Sequence, residues 1–210
     1  MLRILRTSVS VSIGAILLAG CQTTGSSLQS TPSQAKLPPL EQRRAVLGDT
    51  YSWLNKNGEQ RTGKIVAVDA NFVSGESSNG CKWKSKRDAF APGVEWSNCG
   101  GSSGTQTSQR RGGSIFPMTV GSKETWDYSG TNTNGDSWES TRNCETVAIA
   151  EVTVPAGTFD TYHVRCEDKW WVREWFVRSD GISVQGSRTR KVGSADRNTS
   201  WQLVGYTPAS

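Results

Sequence analysis

Alternation with a period of two runs through most of this chain. Lysines at 82, 84 and 86 alternate with Trp83 and Ser85, and Trp171, Arg173 and Trp175 alternate with Trp170, Val172, Glu174 and Phe176. Successive side chains of a strand point to opposite faces, so both stretches predict strands with two unlike faces. Residues 51–54, 64–68, 71–74, 126–128, 137–141, 182–190 and 201–206 predict further strands. Asn57-Gly58, Asn134-Gly135 and Asp180-Gly181 separate them and supply the positive φ that tight hairpins need. Helical periodicity is not sustained anywhere; one or two turns are expected at 40–46, after Pro38-Pro39. The expected fold is mainly β, with roughly nine to eleven short strands in an antiparallel meander or sandwich or a strongly curved sheet.

The clearest hairpin is 143–168, whose β-rich arms flank Pro155-Ala156-Gly157. Folding it about Pro155 sets Cys144 opposite Cys166, each eleven residues away. Opposed residues of an antiparallel pair come close enough for a disulfide. Cys81 and Cys99 bracket a second compact segment. Four cysteines allow three connectivities; the two local ones, Cys81–Cys99 and Cys144–Cys166, are expected. Each closes a loop of about twenty residues and stabilises by about 3 kcal/mol in the chain-entropy account. A zinc site is not expected, because there is no Cys-x-x-Cys pair and the single histidine, His163, is distant from Cys81 and Cys99 in sequence. Residues 100–114, GGSSGTQTSQRRGGS, read as a loop by composition. They divide the β-rich part into stretches 45–99 and 115–208, which form one domain or two. Both stretches contain Gly, four residues, Trp and then an Asn-Gly turn, the mark of a faint repeat or of any chain of hairpins.

The N-terminus changes the picture of where the protein resides. Residues 1–20 carry Arg3 and Arg6, no acid, and an apolar run over 9–18. That describes a signal peptide, and a run of about ten residues is too short to span a bilayer, which takes about twenty. Leu18-Ala19-Gly20-Cys21 resembles the bacterial lipoprotein lipobox at all four positions. The resemblance implies cleavage before Cys21, a diacylglycerol thioether on its sulfur and an acylated amine, so the membrane is a partner. It also accounts for the odd fifth cysteine. The residue after Cys21 is Gln22 and not aspartate, which by the same resemblance favours the outer membrane, facing the periplasm. Residues 21–44 are expected to be a flexible tether, since 22–39 are rich in Ser, Thr, Gln and Pro and have little to bury.

Charge excludes little. The formal net charge of +5 falls when Arg3 and Arg6 leave with the signal, and what remains is weak for a nucleic-acid binder. A Ser-His-Asp or Cys-His site would have to use His163, on a strand arm, and there is no G-x-S-x-G sequence or phosphate-binding glycine loop. Neither an enzyme nor a cofactor is expected. VTVPAGTFDTYHVRCED followed by WWVREWFVRSDGISV resembles a motif of uncharacterised proteobacterial envelope proteins, across residues 115–192. That resemblance implies a β-rich periplasmic domain and supplies no reaction. The expected role is a non-catalytic accessory or binding one. The alternative is a glycan- or peptidoglycan-binding module using Trp171, Arg173 and Trp175 as a stacked face, which packing against a core would equally explain.

Overall fold

The computed structural model describes residues 29–193 and 195–209, so the signal peptide and Cys21 lie outside the described residues. The strands are β1 Ser30–Pro32, β2 Thr50–Asn55, β3 Gln60–Val68, β4 Phe72–Ser77, β5 Lys82–Lys86, β6 Glu95–Cys99, β7 Ser102–Ser114, β8 Lys123–Asn132, β9 Ser137–Val154, β10 Gly157–Glu167, β11 Trp171–Arg178, β12 Ser183–Arg190 and β13 Thr199–Thr207. A single 3-10 turn, Ala195–Arg197, is the only helical element among the described residues. The short helix expected at 40–46 does not form; Leu40 instead makes a β-bridge to Met118.

From β2 to β13 each strand pairs with its chain neighbour, and β13 returns to pair with β2, Tyr206 opposite Tyr51. The sheet is therefore a closed antiparallel barrel of twelve strands, with β1 added to β9. This corrects the open meander or sandwich; strong curvature was the compatible expectation, and closure removes the sheet edges that a sandwich leaves unpaired.

Of the stretch expected as a loop, 100–114, all but Gly100 and Gly101 is the long strand β7. Its glycines and polar residues suit a strand in a partly wet barrel. Gly104, Gln106, Ser108 and Arg110 stand opposite Asn132, Gly130, Tyr128 and Trp126 of β8. Gly104 admits a tryptophan: a Cβ there would lie 2.4 Å from Cζ2 of Trp96. The same device recurs with Trp83 over Gly75, Trp138 over Gly130, Trp201 over Gly186 and Trp53 over Gly63. A glycine that weakens a strand by itself is here covered by an indole from its neighbour.

Both disulfides form. Cys81–Cys99 ties the start of β5 to the end of β6, and Cys144–Cys166 joins directly opposed residues of β9 and β10. The tight turn leaves Val154 opposite Gly157, which would set Cys144 against Glu167; a bulge at Val147 shifts the register by one and brings it to Cys166. Two apolar clusters lie toward one end of the barrel on opposite faces of the sheet, since Val177 of the first and Phe176 of the second are successive residues of β11 in unbroken register with β10. One gathers Tyr162, Val164, Val177, Ile115 and Met118 around this second disulfide, and the other gathers Val152, Phe176, Val184 and Leu203.

Part of the expected tether is docked. β1 pairs with β9, Leu37 and Leu40 pack on the first cluster, and Arg43 binds Asp49 and the Tyr206 hydroxyl. The part of β9 beyond its pairing with β8 takes the β1 backbone, and the Tyr162 hydroxyl donates to the Pro38 carbonyl.

Candidate functional site

The register shows how the lumen acquires its charge. Directly opposed residues share a face, and the row Glu124, Cys144, Cys166, Arg173, Arg188 runs across β8, β9, β10, β11 and β12. Arg173 and Arg188 thus stand on the disulfide's face. One step nearer the strand ends, Trp171 is opposite Arg190. From β9, Arg142 stands opposite Trp126.

These side chains meet in a cavity of about 660 Å³ lined by Arg142, Arg173, Arg188, Arg190 and Arg197 together with Trp96, Trp138, Trp170 and Trp171. Its lining also takes in Asn132, Asp136 and Ser137 of the β8–β9 hairpin and Cys99 and Ser102 of the β6–β7 turn, so it opens at that end of the barrel. Its floor is the β5–β6 connection. There Phe90, 4% exposed, packs edge-on against Trp175 at 5.3 Å between centroids, and its carbonyl accepts from Arg142.

Asp168 is the acidic hub. It is buried; its Oδ1 accepts from the backbone N–H of Trp170 and Trp171 at 2.9 and 2.8 Å. Its Oδ2 accepts from the Tyr128 hydroxyl at 2.8 Å and from Arg173. Burial opposes its ionisation, yet the Arg173 charge and these hydrogen bonds hold its carboxyl below the ordinary range. The same burial and the Asp168 hydrogen bond raise the Tyr128 phenol.

Positive charge stays in excess. Five arginines line the cavity with one lining carboxylate, Asp136, while Asp168 is buried against Arg173 and Glu124 against Arg110. Arg142 is 7% exposed, and its Nε is buried without a hydrogen-bond partner. Burial, and then the Arg173 charge, push its guanidinium down to about 9. Arg188 lies 3.6 Å above the Trp171 ring and is lowered to about 10, again by burial and then Arg173, although water in the open lumen still reaches it. A guanidinium resists giving up its proton, so these groups stay charged and repel one another across the lumen.

The structure divides the expected Trp-Arg-Trp face. Trp171 and Arg173 line the cavity, but Trp171 is 8% exposed and its ring is covered by Arg188, with Arg190 at 5.1 Å. Trp175 does not line it and packs against the first apolar cluster. Trp96 and Trp138, which sequence reasoning passed over, line the lumen as a tilted pair 5.9 Å apart. Their N–H groups are satisfied by Ser102 and Gln106. The signal that marks them is a glycine directly opposite each, Gly104 and Gly130, inside a strand. His163 lies outside this site; it stacks on Phe176 at 4.4 Å and shares a hydrogen bond with Glu174. Among the described residues no cluster of His, Cys, Asp and Glu is arranged to hold a metal.

No protein-family model matches the chain, and no curated protein sequence does. Among solved structures the chain is similar to the hypothetical lipoprotein YmcC of Escherichia coli K12, at 11% identity and TM-score 0.51, over 79% of this chain and 88% of that one. Weaker likenesses are an exported protein with a YmcC-like fold from Bacteroides fragilis, at 11% identity and TM-score 0.37 over 82% of this chain and 100% of that one, and a lipoprotein from Parabacteroides distasonis, at 10% identity and TM-score 0.39 over 83% and 100%. At such identity the YmcC likeness establishes a shared barrel fold and nothing about a ligand.

Proposed function

We propose that this is a lipid-anchored protein of the bacterial envelope, held at the outer membrane by acyl chains on Cys21 and facing the periplasm, with a non-catalytic binding role. Its binding site is the arginine-lined lumen, and the ligand is an anion. The observation that carries the reading is the buried, unpartnered Nε of Arg142 beside an excess of guanidinium groups in an open cavity. Two further findings support it: the lipobox resemblance at Cys21, and a fold shared with a protein named as a hypothetical lipoprotein. Two parallel measurements test the reading. Intact mass of the mature protein should show a chain beginning at an acylated Cys21, and an unmodified cysteine there would remove the anchor. Inorganic phosphate should raise the melting temperature of the wild type more than sodium chloride of equal ionic strength does, and Arg188→Gln should abolish the difference. Equal effects of the two salts on the wild type would remove the anion site.

A further inference from the structure

The arginines alone select any anion, and the aromatic groups beside them narrow the choice. We infer that the lumen receives an acidic oligosaccharide, with a sugar ring on Trp96 and Trp138 and its carboxylate or phosphate group on Arg142 and Arg188. This rests on the anion-binding reading and adds the chemical class of the ligand. Each of these two indoles has one face against a glycine, Gly104 or Gly130, and lines the cavity as well. With their N–H groups engaged by Ser102 and Gln106, they offer the lumen apolar ring surface, which suits the C–H face of a pyranose. Trp171 cannot serve in this way, because Arg188 already stacks on it. That stacking holds the Arg188 fork in place beside the cavity for a planar carboxylate or a phosphate. Ser137 and the Asp136 carboxylate line the same space and can meet the hydroxyl groups of a sugar.

Anionic groups also occur on lipid headgroups, and the topology argues against that source. β1 runs beside the far end of β9, Ser30 opposite Val152, whereas the cavity mouth lies at the start of β9 near Trp138. The fourteen residues between Trp138 and Val152 span up to about 46 Å along a strand. The eight residues from Cys21 to Gln29 reach at most about 29 Å. A chain anchored at Cys21 therefore holds the far end of the barrel near its membrane and turns the mouth away from it, toward soluble or wall-borne glycan.

Calorimetry on the mature protein with trigalacturonate, maltotriose, inorganic phosphate and vesicles containing phosphatidylglycerol separates the possibilities. Trigalacturonate is expected to bind at least tenfold more tightly than phosphate, with maltotriose far weaker and the vesicles not competing. Trp138→Ala is expected to cost at least tenfold in trigalacturonate affinity and to leave phosphate affinity within twofold, while Trp138→Phe, which still covers Gly130, keeps most of both. Phosphate binding at the arginines with no gain for trigalacturonate overturns the sugar assignment and leaves the anion site standing; loss of both ligands overturns both. Vesicles that displace trigalacturonate overturn the glycan source. Should the alanine variant fail to fold, the wild-type ranking of the three soluble probes decides the matter.

Discussion

Asp168→Asn tests whether the lumen is a built network or a chance crowd of charges. The substitution keeps the side chain's shape, and asparagine's carbonyl oxygen can still take the two backbone N–H groups that now bind Oδ1. It puts an N–H₂ group where Oδ2 accepts from Arg173 and the Tyr128 hydroxyl. The hydroxyl can turn and accept; the guanidinium cannot, and it is left facing a donor. Removing one partner of a buried ion pair costs about 3–5 kcal/mol, because the other charge stays buried and uncompensated. The lower end applies here, since Arg173 keeps 12% of its side chain in contact with solvent. A loss of about 3 kcal/mol lowers the melting temperature of a domain this size by roughly 6–12 °C. Urea unfolding at low salt, with a calorimetric scan, measures both. Acid supplies an independent check. The Asp168 carboxyl is held below its ordinary value, so its contribution is present above the unfolded value of about 3.9 and is lost as pH falls through the folded one. The wild type should lose this increment on acidification below about pH 4, and the variant should not. The double variant Asp168→Asn/Arg173→Met should recover stability, as it removes the stranded charge. A single-variant loss under about 1 kcal/mol, with an unchanged acid limb, would refute the network.

Two more outcomes follow from the packing. Replacing both Cys144 and Cys166 by alanine, a bridge 2% and 0% exposed, should cost about 3 kcal/mol on the loop-entropy account, and Cys81–Cys99, which is partly exposed, should be the first reduced by a mild thiol in peptide mapping. Gly104→Ala would set a Cβ 2.4 Å from Trp96 and 2.5 Å from the Thr131 carbonyl oxygen, and overpacking of this kind costs about 1–3 kcal/mol in equilibrium unfolding; an unchanged midpoint would show that the indole does not cover this glycine.

Local patterning carried the parts of this protein that depend on near neighbours. The period-two stretches became β5 and β11, Asn57-Gly58, Asn134-Gly135 and Asp180-Gly181 became turns with glycine at positive φ, and both cysteine pairs closed within short segments. Each of those is decided by the backbone's alternation and by turn chemistry within about twenty residues. Closure was not legible, because it depends on β13 meeting β2, strands about 150 residues apart in the chain. Nor was β7, whose Gly, Ser, Thr and Gln resemble a loop unless the strand is known to line a wet interior under an indole. The site was hidden for the same reason. Alternation singled out Trp171 and Arg173, but Arg142, Arg188 and Arg190 also sit in alternating strands, where sequence alone reads a charged position as facing solvent. Alternation tells two faces apart and not which of them is inside. That is decided only when the sheet curls into a barrel, and curling turns residues that would have pointed to bulk water toward one another across a lumen.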